Sequence, residues 1–288
     1  MGFMSAMKAN KAYRMHRAGN TQEAIRLYEE AFAEGLNEPR FVLAYALMII
    51  RDGQYQKAKE FLVKHQKAPG ITQTQRIELL VYYATCCFRL GNVDKGINTL
   101  EQQFRKTETG LIYQTLGYLY VVKYDQANTP DFSAQEAAEP AEGEPAEVGN
   151  EQAAEPAETE NTEGAEEAQR PLTPEEEWNA GIEKAETFIR NSVEYDDEDP
   201  VCLDNLGQFY YRVRGDKAAA KEWFDKAIGQ KENQIDTLYF LSRYDLEAGN
   251  KEAALEKLEK AAEGRFSPLN YCDREMVRAE IEQLKGAQ

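Results

Sequence analysis

The feature that most constrains this chain is a period. Ala12, Gly19, Ala24, Tyr28 and Ala31 recur 34 residues later as Ala46, Gly53, Ala58, Leu62 and His65, and four of the five pairs keep a small or apolar type. Ala84, Gly91, Gly96 and Leu100 form a third copy after a shift of 38, with the four extra residues falling around Pro69-Gly70. In the second half Gly215, Ala220, Phe224 and Ala227 recur after 34 residues as Gly249, Ala254, Leu258 and Ala261. A fixed period of this length marks a stacked array, in which each unit packs on its neighbours, rather than a globule around one core.

Each unit reads as two antiparallel helices. The Gly ends the first helix, since it takes a left-handed conformation without steric cost. A polar turn follows, as in Gly19-Asn20-Thr21, Gly91-Asn92-Val93-Asp94 and Gly249-Asn250-Lys251, and Asn, Thr or Asp there is expected to cap the second helix. In the second helix, apolar residues three and four apart, such as Ala254, Leu258 and Ala261, form one buried stripe. Alanine on that stripe lets the helices cross closely.

The pattern resembles the tetratricopeptide repeat (TPR) family. Leu116-Gly117 with Tyr120, and Leu206-Gly207 with Tyr210, are similar to its first-helix signature. Gly19, Ala24, Tyr28 and Ala31, and again Gly215, Ala220, Phe224 and Ala227, are similar to its second. Six units are expected, starting near Ser5, Pro39, Ile77, Gly110, Pro200 and Ile235. The fit loosens at Gly96, where the motif has Ala, and at Gly215, which comes one residue later than the spacing from Gly207 requires. The resemblance implies an all-α, right-handed superhelical solenoid whose concave face is lined by the first helix of every unit. An amphipathic segment from Cys272 to Leu284 is expected to cap the array.

The fourth unit is interrupted. Its first helix should end near Tyr124, and its second should begin at Pro174 after the start signal Thr173-Pro174-Glu175-Glu176-Glu177. Residues 125–170 hold 14 acids and one base, a local charge of −13 out of the chain's −17, so the array itself is close to neutral. Phrases such as Glu144-Pro145-Ala146-Glu147 repeat there, and Phe132 and Val148 are almost the only large apolar residues. Such a segment cannot bury enough surface to offset its ordering entropy and is expected to be disordered. The organisation expected is therefore 1–124 for the first units, 125–173 for the insert, 174–271 for the later units and 272–288 for the cap.

Catalytic constellations are missing from the sequence. There is no phosphate loop, no Gly-x-Ser-x-Gly elbow and no paired His, since His16 and His65 stand 49 residues apart. His16 reads as a partly exposed surface histidine and His65 as a packed or edge one. Cys86, Cys87, Cys202 and Cys272 lie in helical patterns without a Cys-x-x-Cys pair and read as buried free thiols. No carboxylate pair visible in the sequence has an apolar setting that would raise a pKa. No enzyme activity, cofactor or metal is expected. Acidity disfavours nucleic acid as a partner, and no membrane contact is evident. The chain reads as a soluble, cytoplasmic protein, though its early helical start leaves room for an upstream segment, a membrane anchor included.

On the TPR pattern, the open stripe carries Tyr13, His16 and Arg17, then Arg40, Leu43, Leu47 and Arg51, then Val81, Thr85, Phe88 and Arg89. It continues through Gln114 and Tyr118, Asp204, Gln208, Tyr211 and Arg212, and ends at Tyr239 and Arg243. Tyr13, Arg17, Arg40, Leu47, Arg51, Phe88, Arg89, Tyr118, Tyr211, Arg212, Tyr239 and Arg243 are the candidate groove residues. Arg17, Arg51, Arg89 and Arg212 hold the same place in four units, a row of guanidinium forks suited to carboxylates. A protein or peptide ligand with acidic groups is the expected partner, which makes the chain a noncatalytic interaction scaffold. Ala9 and Tyr13 stand where the TPR clamp for chaperone C-termini has Lys and Asn, so that partner is not supported. The alternative is a regulatory or adaptor subunit whose tethered acidic insert competes for its own groove, at an effective concentration on the order of mM, with an enzyme carrying an unrecognised groove site ranked below it.

Overall fold

The structure, a computed structural model, describes residues 3–133 and 171–286, and among these it contains helices and no strand. The helices run α1 Phe3–Arg17, α2 Thr21–Ala33, α3 Pro39–Arg51, α4 Tyr55–His65, α5 Gln73–Arg89, α6 Val93–Phe104 and α7 Gly110–Lys123. After a short 3-10 turn at Gln126–Asn128 come α8 Pro174–Tyr195, α9 Pro200–Gln208 with a π-helical continuation Phe209–Arg214, α10 Lys217–Gln230, α11 Ile235–Glu247, α12 Lys251–Ala262 and α13 Arg274–Gly286.

Packing follows the period. Each odd helix from α1 to α11 pairs with the even helix after it, each even helix packs on the next odd one, and α3, α5, α7 and α9 also pack in series. This is a solenoid of six helix pairs closed by α13. Gly19, Gly53, Gly91, Gly215 and Gly249 end the first helices of their units with φ between 69° and 85°, a region that costs other residues strain. Ala24, Ala31, Ala58, Ala220, Ala227, Ala254 and Ala261 are fully buried at the crossings. Their small side chains let α2, α4, α10 and α12 lie close against their partners.

The caps differ in part from expectation. Asn20, Asn92 and Asn250 occupy N-cap positions, but their side chains make no capping bond. Thr72, Thr109, Thr173, Asp199 and Asp216 do cap, accepting backbone N–H groups of the first turn. The three Asn residues follow a positive-φ Gly, as does Asp216, which does cap.

Across the interrupted unit, α7 and α8 dock directly. Thr173 and Glu176 form a reciprocal capping box with Pro174 in the first turn, as the start signal requires. A Cβ at Gly181 would lie 2.2 Å from Tyr124 Oη, so the missing side chain is what admits the tyrosine. The Trp178 ring meets Tyr124 edge-on at 4.9 Å. Phe132 joins Tyr124 and Trp178 around a small surface pocket. The expected disorder of the insert, and Val148 with it, falls largely on residues 134–170, which lie outside the described residues.

The late Gly215 has a physical explanation. Ala12, Ala46 and Ala84 precede their glycines by seven residues and Gly207 precedes Gly215 by eight. The extra residue is absorbed as the π-helical turn Phe209–Arg214, which widens the helix instead of lengthening the loop. The cap helix begins at Arg274 rather than Cys272, because the residues just before it are engaged elsewhere.

Candidate functional site

First helices of consecutive units meet around one cavity of about 450 Å³. Leu47 and Ile50 reach it from α3, Val81, Tyr82 and Thr85 from α5, Gln114 and Tyr118 from α7, and Asp204 and Asn205 from α9. Its far wall is the connector between α12 and α13, Gly264 to Asn270. The concave face is therefore partly covered by the chain's own C-terminal segment.

The connector is held by a buried carboxylate. Asp236, in the first turn of α11, accepts hydrogen bonds from Asn270 Nδ2 at 3.0 Å, Tyr271 N at 2.9 Å and Cys272 N at 3.4 Å. Nearby, Asp204 accepts from Thr237 Oγ1 at 2.5 Å and Gln208 Nε2 at 2.7 Å. Asp204 and Asp236 are 2% and 3% exposed. Burial, with the Asp236 charge beside it, pushes the Asp204 carboxyl up to about 7, and burial raises Asp236 too. The sequence reading that no carboxylate pair has a pKa-raising setting is thus corrected: the apolar surroundings come from residues far apart along the chain. Both carboxyls spend their lone pairs on structural donors.

The candidate groove residues divide into two sets. Tyr211, Arg212, Tyr239 and Arg243, from α9 with its π-helical turn and from α11, are engaged by the chain itself. Arg212 pairs with Asp125 at 2.8 Å, with side chains 10% and 17% exposed, and lies over the Tyr271 ring at 4.4 Å. The Tyr239 hydroxyl donates to Glu280 at 2.8 Å, and Arg243 pairs with the same carboxylate. Tyr211 packs on Phe240 at 5.0 Å. Asp125, Tyr271 and Glu280 were not among the candidates, and no periodic signal marks them.

The other set is accessible except for Tyr118. Tyr13, Arg17, Arg51 and Arg89 are exposed, Leu47 and Phe88 half-buried. Among the described residues Arg17, Arg51 and Arg89 enter no ion pair, whereas Arg40 is paired with Glu38 at 3.0 Å and lies over Phe41. Arg89 lies 5.4 Å from the Tyr55 ring centroid. Tyr118 is buried, only 5% exposed, and meets Phe88 edge-on at 5.8 Å, with burial raising its hydroxyl pKa.

His65 is packed, its ring 4.3 Å from Phe61 and its Nδ1 2.8 Å from Asn37 Oδ1. His16 is half-buried, as a partly exposed surface histidine should be. The four cysteines are free and buried, and burial pushes Cys86 and Cys202 up to about 12, which makes them poor nucleophiles at neutral pH. Among the described residues no cluster of three or more His, Cys, Asp or Glu is placed to hold a metal, and no helix is long and apolar enough to cross a membrane.

Residues 17–103 match the family model for "Anaphase-promoting complex, cyclosome, subunit 3". No curated protein sequence matches the chain. Among solved structures the chain is similar to PilW, a type IV pilus biogenesis factor, at 13% identity over 93% of this chain and 98% of that one, with a TM-score of 0.55. It is similar to the human IFIT1 dimer with m7Gppp-AAAA at 14% identity and a TM-score of 0.55, over 96% of this chain and 54% of IFIT1, so it spans about half of that protein. MamA from Desulfovibrio magneticus RS-1 is similar at 16% identity and a TM-score of 0.50, over 81% of this chain and 98% of MamA. At these identities the likeness is one of fold. The chain has the fold of tetratricopeptide-repeat proteins, a solenoid of stacked helix pairs.

Proposed function

We propose that this protein is a noncatalytic interaction scaffold that takes a partner peptide on the concave face of its N-terminal half, between α1 and α7. The observation that carries this is the contrast between the two halves. Arg212 and Arg243 are neutralised by Asp125 and Glu280, while Arg17, Arg51 and Arg89, at matched positions in three successive units, have no counter-ion among the described residues. Beside them Leu47 and Phe88 offer apolar contact, the combination that recurs at protein interfaces. Unpaired guanidinium groups at repeat spacing suit an extended or helical segment carrying acidic side chains. A peptide fits better than a nucleic acid, because the whole chain carries −17.

The test is affinity capture of partners from the native source, followed by Arg51→Glu combined with Arg89→Glu. Both side chains are exposed and neither enters an ion pair among the described residues, so the double variant should keep its melting temperature and lose the partner. Ala58→Glu is the contrasting control: a carboxylate forced into a fully buried crossing should abolish cooperative folding. A partner still held by the Arg51/Arg89 variant would sink the reading.

A further inference from the structure

The cations that line the cavity, Lys231 and Arg265, are exposed, whereas its carboxylates, Asp204 and Asp236, are buried. The two carboxylates are neighbours, since Asp204 accepts from Thr237, the residue that follows Asp236. Neither enters an ion pair among the described residues, and Arg212, two turns along from Asp204, is taken by Asp125. Buried carboxylates without a counter-ion are costly, and a cation that reaches them relieves that cost. Two further acceptors in the same wall are idle. Asn205, 2% exposed, donates Nδ2 to the Gln114 carbonyl at 2.8 Å, and its Oδ1 accepts nothing among the described residues. Tyr118, on the helix α7 that packs on α9, makes no hydrogen bond among them through its hydroxyl, although it is only 5% exposed. Asp204 serves Thr237 and Gln208, and a carboxylate offers about four acceptor sites, so a further donor finds room beside them. The rest of the wall is largely apolar, with Leu47, Ile50, Val81 and Leu269 in it.

Three acceptors with sites to spare, one of them charged, call for a ligand rich in donors. A primary ammonium carries three N–H donors and a positive charge, which neither a water nor a hydroxyl group supplies. We infer that the cavity is a site for a small primary amine with an apolar body, its ammonium held by Asp204, Asn205 Oδ1 and the Tyr118 hydroxyl oxygen and its carbon chain laid along Leu47, Ile50 and Val81. At about 450 Å³ the space is of the size that small-molecule sites have, and the connector closes it on one side. An anion would meet the two buried carboxylates and is disfavoured there. The site is separate from the row of Arg17, Arg51 and Arg89 and goes beyond the peptide reading, which does not depend on it.

The probe is hexylamine, compared with hexanol and hexanoate of the same chain length, titrated calorimetrically into the full chain at neutral pH and low salt. The amine should bind about tenfold more tightly than the alcohol, and the acid should not bind. Asp204→Asn should erase the difference between amine and alcohol. Tyr118→Phe removes a hydroxyl that bonds to nothing among the described residues, so it should keep its melting temperature, weaken the amine about fivefold and leave the alcohol unchanged. That second variant decides the matter if Asp204→Asn fails to fold. Equal binding of amine and alcohol, or no binding of either at millimolar concentration, overturns the site and leaves a cavity that holds water only. An amine preference that neither variant changes also overturns it, because the amine then sits elsewhere on an acidic chain. In each case the loss of a captured partner from the Arg51/Arg89 variant tests the groove reading separately.

Discussion

The backbone N–H of Tyr271 donates to Asp236 Oδ2 at 2.9 Å, joining residues 35 positions apart and fixing the connector to the first turn of α11. Asp236→Ala leaves the Asn270 amide and the Tyr271 and Cys272 backbone N–H groups without their acceptor. A loss of about 3 kcal/mol of stability is expected, on the scale of unsatisfied buried donors next to a charged acceptor. Limited proteolysis should then cut first between Gly264 and Cys272, whereas unchanged denaturation and protection would show that the connector is held by its ring contacts alone.

Asp204 gives the fold an unusual pH response. Its folded-state pKa of about 7 lies above its ordinary 3.8, so between those values the folded chain binds a proton that the unfolded chain has released. Stability from this group is therefore largest at the acid end and declines as pH rises through the window toward 7. Asp204→Asn should flatten the wild-type decline between pH 5 and pH 8, as read from urea midpoints of both proteins. An equal slope in the two would place the source of the decline elsewhere.

Arg212 and Asp125 are largely shielded from water, so their pairing should be worth more than a surface ion pair. Removing either partner is expected to cost about 1.5 to 3 kcal/mol, with much of that energy appearing as coupling in a double-mutant cycle of Arg212→Ala and Asp125→Ala. Additive losses would mean that the Tyr271 ring, not the carboxylate, holds the guanidinium.

Gly207 faces Phe224 so closely that a Cβ would lie 2.7 Å from its ring, and that ring stacks on Phe240 at 5.1 Å and 7°. Gly207→Ala should destabilise by about 1 to 3 kcal/mol through overpacking, despite alanine's better helix propensity. A raised melting temperature would show that the ring pair can shift at little cost.

What the sequence made legible is what repeats. The 34-residue period located the unit boundaries, the glycines with positive φ and the alanine crossings, because each unit solves the same packing problem. The spacing of Gly207 and Gly215 also carried a true signal, one residue too many, but not its outcome as a π-helical turn. Contacts that happen once were hidden. Asp236 with Tyr271, Arg212 with Asp125 and Glu280 with Tyr239 each join segments outside the repeat register. The row of arginines was visible as a row, while the neutralising of Arg212 depends on Asp125 just past α7, and that of Arg243 on the C-terminal segment folding back to bring Glu280 to it.

That fold-back alters how the array should come apart. A stack in which each unit touches only its neighbours can fray from either end, one unit at a time. Here Arg265 and Leu269 line a cavity with Leu47 and Ile50, so the last connector faces the second unit across that cavity as well as being tied to the sixth. The ends are linked in space, and loosening either one disturbs the other. The polymer is linear in sequence but mechanically closer to a ring, and its melting should be correspondingly abrupt.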